Sequence, residues 1–220
     1  MAFELKDKFK KVTKRLLDLV LVLVVSSVMG LPMLLIAAAV RISSPGPIFF
    51  MSIRVGLNNK LFKMPKFRSM RVDTPAVATH LLKNPDHWLT PIGSFLRESS
   101  LDELPQLWCI LVGDMSFVGP RPALFNQDDL IAMRTKRGVH KLLPGLTGWA
   151  QVNGRNAISW EVKFELDVWY VDNRSLGLDI RIIFLTFARV FARSGITAAG
   201  EATMPTFTGS SKSLPTKSVE

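Results

Sequence analysis

The chain has 220 residues, of which 48% are hydrophobic, and its 28 lysines and arginines outnumber its 18 aspartates and glutamates to give a formal net charge of +10. Its single cysteine, Cys109, excludes an intramolecular disulfide framework and a multi-cysteine zinc site. The basic charge indicates either nucleic acid or an anionic membrane surface as a partner, and the positive mean hydropathy of +0.23 favours the membrane.

The first predicted element is an apolar segment from Leu19 to Val40, which has 22 residues and no charge. As a helix it would be about 33 Å long, enough to cross the hydrocarbon core of a bilayer. It is longer than the apolar region of a signal peptide, and no small-residue cleavage site stands out. A simple transmembrane anchor is therefore the main alternative to weigh.

Two features favour a helix that enters the membrane and returns to the same side. Gly30 and Pro32 lie in the middle of the segment, where proline removes a hydrogen bond and bends a helix. Both flanks are basic, so the positive-inside rule draws both ends to the cytoplasm. A re-entrant helix bent at Pro32 satisfies both features, and a kinked span remains the alternative. The flanking cations are Lys6, Lys8, Lys10, Lys11, Lys14 and Arg15 before the segment, and Arg41, Arg54, Lys60, Lys63, Lys66, Arg68 and Arg71 after it.

The remainder of the chain reads as short helices with a small sheet, and we expect an α/β, mostly helical fold. The turn signal Ser43–Pro47 ends the membrane element. The following pattern predicts a hairpin over 48–71 with its turn at 56–59, a loop with a short helix over 73–86, and helices over 90–98, 100–112 and 124–137. It also predicts a loop over 113–122 and a loop or short strand over 141–156.

The last two elements are less distinct. Apolar residues alternate over 159–173 as they would in a strand. A helix is predicted over 179–193, with Asp179 as its N-cap. Its Arg181, Arg189 and Arg193 lie on one stripe, which suits either a core helix with a solvated edge or an interfacial helix that faces lipid phosphates. The expected organisation is a basic N-terminus with the re-entrant helix over 1–42, a cytoplasmic catalytic domain over 43–197, and a flexible tail over 198–220.

The candidate reactive residues are Asp102 and Glu103 in the segment 100–106. The structural alternative is a capping box, in which Ser100 and Glu103 satisfy free backbone amides at a helix start. The positive end of the helix would also keep Asp102 ionised and attract phosphate oxygens. An ionised aspartate can act as a nucleophile toward phosphorus, and Glu103 could accept a proton or bind a metal.

Several cations accompany this acidic pair and could hold phosphate groups. Each alone is more typical of a surface cation, but together with two carboxylates they suit phosphoryl transfer, for which Mg²⁺ is the usual metal. They are Lys66, Arg68, Arg97, Arg121 and Arg155.

Five stretches of this sequence resemble the bacterial sugar transferases called monotopic phosphoglycosyl transferases. They are Lys14–Asp18, Lys66–Met70, Ser100–Gln106, Gly113–Pro122 and Pro144–Arg155. The likeness covers roughly 14–195. In addition, Asn153–Trp160 and Phe164–Asp167 are similar to the bacillosamine-phosphate transferases of protein glycosylation pathways.

The resemblance implies transfer of a sugar 1-phosphate, N-acetylated by this likeness, from a UDP-sugar to undecaprenyl phosphate, with Mg²⁺ and release of UMP. It implies a covalent phosphosugar on Asp102, with Glu103 as its partner and Asp102 also a metal ligand. It also implies a monotopic protein on the cytoplasmic face of the bacterial inner membrane, without a nucleic-acid partner. The family's helix is broken at a Ser-Pro pair, whereas this chain has Leu31-Pro32. Because the family is helical after Ser159, we expect a helix over 159–173 despite the alternation.

Two functional hypotheses follow from the sequence. The first is this transferase, which requires Asp102. The second is a membrane-anchored basic scaffold or binding module, which should tolerate replacement of Asp102. The sequence does not fix the sugar or the oligomeric state.

Overall fold

The computed structural model describes residues 2–75, 85–154 and 158–191. It is mostly helical, with two small sheets, as the sequence predicted. The helices are α1 Ala2–Ser43, α2 Gly93–Glu98, α3 Leu107–Val112, α4 Asp128–Lys136, α5 Trp149–Val152, α6 Trp160–Asn173 and α7 Leu176–Phe191, and the strands are β1 Phe49–Val55, β2 Leu61–Phe67, β3 Ser116–Val118 and β4 Gly145–Thr147. Most of the predicted loop over 73–86 and the tail over 198–220 lie outside the described residues.

Helix α1 contains the apolar segment and is long and apolar enough to cross a membrane over Phe9–Ser43. It is continuous through Gly30 and Pro32, so the predicted proline bend does not end the helix. Much of its apolar surface is exposed, including Leu31, Leu34 and Leu35. On its opposite face, Met33, Ile36 and Ala37 pack against the buried clusters of the globular body.

The packing of α1 involves both of its halves. Val22 belongs to the main core with residues of α3 and β3. Val40, near the other end, is fully buried against Phe67 and Leu96. Both halves of the apolar segment of α1 therefore contact the same globular body.

The predicted hairpin is confirmed. Strands β1 and β2 pair antiparallel from Phe49 opposite Phe67 to Val55 opposite Leu61. A short 3₁₀ turn over Leu57–Asn59 connects them at the predicted position. This hairpin places Lys66 of β2 beside the segment that follows α2.

The segment predicted as one helix over 100–112 is two helices. Leu101–Gln106 is a 3₁₀ helix, and α3 begins only at Leu107. Pro105 inside the first helix has no amide hydrogen and cannot make the α-helical bond there. Likewise, α2 starts at Gly93 rather than at Thr90, and α4 starts at Asp128 rather than at Leu124.

Strands β3 and β4 form a parallel pair. The prediction of a loop over 113–122 is wrong at β3, whereas β4 lies in a segment that was predicted as a loop or short strand. The two backbones lie very close together: a Cβ atom added to Gly145 would be only 2.1 Å from the amide nitrogen of Gly119. Only glycine fits at this approach. The Pro120–Pro122 turn follows directly after β3, which lies in the core.

Helices α6 and α7 complete the body. The segment after Ser159 is helical, as the resemblance implied, and the Ser159 side chain accepts a hydrogen bond from the Val162 amide. The prediction of Asp179 as an N-cap is wrong, because α7 begins at Leu176. Asp179 instead lies buried in the first turn, where Lys14 and Tyr170 donate hydrogen bonds to it at 2.6 Å.

Candidate active site

The acidic pair lies in the first turn of the 3₁₀ helix, directly after α2. Ser100 adopts a left-handed backbone conformation, with φ of 60°, and this sharp turn presents Asp102 and Glu103 toward β2. The capping-box alternative is not realised, because in this part of the chain the Ser100 side chain makes no capping hydrogen bond and the Glu103 carboxylate binds cations instead. Both carboxylates are thus directed into a site.

Two cations hold the Glu103 carboxylate. The Lys66 ammonium lies 2.6 Å from Oε1 of Glu103. The Arg121 guanidinium reaches both oxygens, at 2.5 Å from Oε1 and 3.3 Å from Oε2. Lys66 also lies 3.7 Å from Oδ2 of Asp102, too far for a hydrogen bond. The structure therefore joins Asp102, Glu103, Lys66 and Arg121 in one cluster.

The two carboxylates have pKa values displaced in opposite directions. Burial raises the pKa of Asp102, and the positive charge of Lys66 offsets only part of that rise. Burial acts in the same sense on Glu103, but the charges and hydrogen bonds of Arg121 and Lys66 outweigh it and hold its pKa well below the usual value. The direction for Asp102 is opposite to that expected from a helix start, because burial dominates. Such a separation is typical of carboxylate pairs with different chemical roles.

The turn that carries Arg121 is held through its backbone. The Pro120 carbonyl accepts a hydrogen bond from the Gly145 amide at 2.9 Å. Two residues before the turn begins at Pro120, the Val118 carbonyl accepts a hydrogen bond from Lys14 of α1 at 3.0 Å. The sequence marks this turn by its two prolines, but the residues that fasten it come from distant parts of the chain.

Arg68, one of the predicted phosphate-binding cations, is engaged by backbone carbonyls. Its guanidinium donates to the carbonyls of Pro45 at 2.5 Å and Ser44 at 2.6 Å, and the residue is only 4% exposed. Arg68 therefore stabilises the turn between α1 and β1. The role of Arg68 in binding phosphate, which was predicted from its charge close to Lys66, stays a prediction.

The two other predicted cations differ in what the structure says of them. Arg97, in the last turn of α2, is close enough for its charge to lower the pKa of Asp102. Arg155 lies outside the described residues. Its role in binding phosphate stays a prediction.

Four charged residues near the site were not predicted as site residues: Arg54, Arg134, Lys163 and Asp167. Arg54 of β1 donates to the Pro122 carbonyl at 3.3 Å, and burial, with the charge of Arg121, lowers its pKa to about 10. Arg134 donates to the Arg121 carbonyl at 2.8 Å and to Oδ2 of Asp167 at 2.5 Å. Of these four, only Asp167 had a signal in the sequence, as the last residue of the Phe164–Asp167 stretch.

The cluster has more cations than anions. Around the carboxylates of Asp102 and Glu103 lie Lys66, Arg97, Arg121 and Arg54. Fixed cations in excess over carboxylates suit a substrate that brings its own negative charge, such as a diphosphate. The described parts of the chain contain no group of three or more histidine, cysteine, aspartate or glutamate side chains that could hold a metal ion.

Comparison with known proteins agrees with this chemistry. A family model described as bacterial sugar transferase matches residues 9–193. The chain is 44% identical over 200 residues to the uncharacterized sugar transferase EpsL of Bacillus subtilis, covering 90% of this chain and 97% of that protein.

Longer relatives carry more specific descriptions. The chain is 45% identical over 201 residues to a UDP-glucose:undecaprenyl-phosphate glucose-1-phosphate transferase of Xanthomonas campestris, and 35% identical over 196 residues to the galactosyl transferase CpsE of Streptococcus agalactiae. These matches cover 86% and 84% of this chain but only 40% and 43% of the relatives. The chain thus spans less than half of these longer proteins.

Proposed function

The chain belongs to the bacterial sugar transferase family, and we propose that it transfers a sugar 1-phosphate from a UDP-sugar to undecaprenyl phosphate with release of UMP. One observation carries the proposal: the buried Asp102 lies beside a glutamate whose charge is already balanced by Lys66 and Arg121. Relatives that match most of this chain are described as transferring sugar phosphates from UDP-sugars to undecaprenyl phosphate.

The proposed reaction has two displacements at the same phosphorus atom. An Asp102 carboxylate oxygen attacks the phosphorus that bears the sugar, the bond from that phosphorus to the bridging oxygen breaks, and UMP leaves with the bond's electron pair. A phosphate oxygen of undecaprenyl phosphate then attacks the same phosphorus. The bond to Asp102 breaks, which restores the carboxylate and yields the sugar diphosphate lipid.

The pKa directions support a division of roles between the two carboxylates. Asp102, with its raised pKa, has the more basic oxygen and is the better nucleophile of the two. Glu103, with its lowered pKa, keeps its charge and orients Lys66 and Arg121 toward the substrate phosphates.

We further propose that Mg²⁺ assists, held by Asp102 together with substrate phosphate oxygens. Mg²⁺ in such sites commonly takes one or two carboxylates and completes its shell with phosphate and water. Asp102 fits this pattern better than Glu103, because both Glu103 oxygens already accept hydrogen bonds from Lys66 or Arg121. When bound, the ion would neutralise charge on the diphosphate.

The membrane placement that we propose is monotopic, on the cytoplasmic face of the bacterial inner membrane. Lys14 and Asp18, just before the apolar segment of α1, bond to β3, and Val40 at the other end of that segment packs on Phe67. A helix that crossed the bilayer would carry one of these ends away from the globular body. The exposed apolar row Ile180, Phe184 and Phe187 on α7 supports the interfacial-helix alternative for that element.

The sugar remains a prediction of the resemblance, which favours an N-acetylated sugar. The comparisons that name a sugar name glucose or galactose. A panel of UDP-glucose, UDP-galactose and their N-acetylated counterparts, scored by UMP release with undecaprenyl phosphate, distinguishes these possibilities. Chelation of divalent metal in the same assay tests the magnesium proposal.

The proposed function is tested by Asp102→Asn, which keeps the shape of the side chain but removes the nucleophilic charge. We expect UMP release to fall by at least about a thousandfold, because covalent catalysis is lost. The matched control is Asp172→Asn, at an exposed aspartate of α6, and it should retain wild-type activity.

Incubation of wild-type protein with UDP-sugar alone should add the mass of one phosphosugar, which hydroxylamine removes. Full activity of Asp102→Asn would show that Asp102 is not the nucleophile, whereas a wild-type protein that released no UMP would favour the scaffold hypothesis.

A further inference from the structure

Arg134 occupies an unusual position for an arginine, because it is buried between two acceptors from different elements. It lies on α4, and its side chain is 13% exposed, while that of Asp167 on α6 is 4% exposed. One terminal nitrogen donates to Oδ2 of Asp167 and the other to the carbonyl of Arg121. The guanidinium thus connects α6 to the turn that carries Arg121.

This buried pair is a poor device for stability alone. Removal of two charges from water costs several kcal/mol, and well-packed apolar residues are often equally stable at such places. The Nε atom of Arg134 is also buried without a hydrogen-bond partner among the described residues, so the pair does not repay all of its desolvation. Its best-supported use is to specify position.

The position that it specifies is that of Arg121. The Arg121 guanidinium donates hydrogen bonds to Glu103, and the backbone carbonyl of Arg121 accepts a hydrogen bond from Arg134. On the other side of the turn, Arg54 donates to the Pro122 carbonyl. Because a displacement of about 1 Å can reduce catalysis by about a hundredfold, a fixed backbone at Arg121 is needed for a fixed guanidinium.

We propose that Arg134, oriented by Asp167, is a positioning residue that sets the Arg121 guanidinium on Glu103. It acts through the backbone of Arg121 and not by contact with substrate. This inference rests on the proposed function for its activity readout only. Its structural content, the fixing of the Pro120–Pro122 turn, can be measured separately.

The first experiment is a double-mutant cycle on UMP release. Arg134→Gln should lower kcat by about 10- to 100-fold in the wild-type background. In the Arg121→Gln background the same change should cost less than about threefold, because the group that Arg134 positions is already absent. The control Arg137→Gln, at an exposed arginine near the end of α4, should leave kcat unchanged in both backgrounds. Equal losses in the two backgrounds would overturn the proposal.

The second measurement does not need activity. Hydrogen exchange of the peptide that contains 119–123 should become faster by at least about tenfold in Arg134→Gln and in Asp167→Asn, while exchange in the β1–β2 hairpin stays as in wild type. Unchanged exchange in that turn would refute the positioning role. If wild-type protein released no UMP, the proposed function would fail, and the exchange data would still decide whether Arg134 holds the turn.

Discussion

Lys163 carries a charge that its surroundings in the folded protein disfavour. It lies on α6, where its ammonium is 5.1 Å from the centre of the Trp160 ring. Burial, together with the charges of Arg121 and Arg134, lowers its pKa from 10.5 to about 8, although Asp167 acts in the opposite direction. The folded protein therefore disfavours the charged form that the unfolded chain carries at neutral pH.

We predict that Lys163→Met raises the melting temperature at pH 7. The folded pKa is below the unfolded one, so the cost of burying the charge is fully present below about pH 8 and disappears as the pH rises toward 10.5. The gain of the variant over wild type should accordingly shrink between pH 8 and pH 10. Thermal unfolding in detergent at several pH values measures it, with Lys141→Met, at an exposed lysine, as the control. A gain that did not change with pH would show that packing, and not charge, is responsible.

At the scale of single residues, the sequence was informative where chemistry is encoded locally. Asp102 and Glu103 are adjacent, and Arg121 lies between two prolines, so each falls within one of the short stretches that carry the family resemblance. Arg134 and Asp167 are 33 positions apart and meet only through the packing of α4 on α6. Similarly, the hydrogen bonds of Arg68 to the carbonyls of Pro45 and Ser44 join residues 23 and 24 positions apart. Contacts of this kind depend on tertiary packing, which local spacing does not encode.

At the scale of elements, the β1–β2 hairpin joins an apolar surface to the charged site. Phe50 pairs directly with Lys66 across the strands, and the two side chains therefore lie next to each other on the same face of the hairpin. Phe50 is 58% exposed, although its neighbour Lys66 contacts the Asp102–Glu103 pair. An acceptor that places a phosphate at Lys66 would have its first hydrocarbon units against Phe50.

We predict that Phe50→Ala raises the KM for undecaprenyl phosphate by about tenfold, because a ring of this size contributes on the order of 1 to 2 kcal/mol when covered. Formation of the covalent phosphosugar from UDP-sugar alone should be unchanged. Phe95→Ala is a matched control, since Phe95 on α2 is also 58% exposed. An equal rise in KM for both variants would indicate general membrane binding, and slower formation of the covalent phosphosugar in Phe50→Ala would indicate damage to the site.

The elements themselves were predicted with uneven success for physical reasons. The hairpin was predictable because its turn residues and alternation are local. The alternation over 159–173 favoured a strand, yet α6 forms because Phe164, Asp167 and Val168 reach the interior at helical spacing. The parallel pairing of β3 with β4 joins segments about 30 residues apart, and each strand has only three residues, too few for a periodic signal.

At the scale of the whole molecule, the basic residues and the exposed apolar residues lie mainly on different surfaces of one body. The apolar excess is concentrated on α1 and on exposed faces such as that of Ile180, Phe184 and Phe187. Part of the basic excess gathers around Asp102 and Glu103. This arrangement suits an enzyme that receives a soluble nucleotide sugar and a lipid phosphate at the same place.

The membrane topology of α1 can be tested by labelling its two ends. Because Lys14 and Val40, which lie on either side of the middle of α1, both contact one globular body, we predict that Lys11→Cys and Arg41→Cys, both at exposed positions, are protected from a membrane-impermeant maleimide in intact spheroplasts. Both should react in inverted membrane vesicles, where the cytoplasmic face is outside. Cys109 is buried and its pKa is raised to about 11 by burial, so the native thiol gives little background. Val28→Cys, exposed in the middle of the helix, should be shielded by lipid in both preparations. Labelling of only one end in spheroplasts would show that α1 crosses the bilayer, and the monotopic placement would then be wrong.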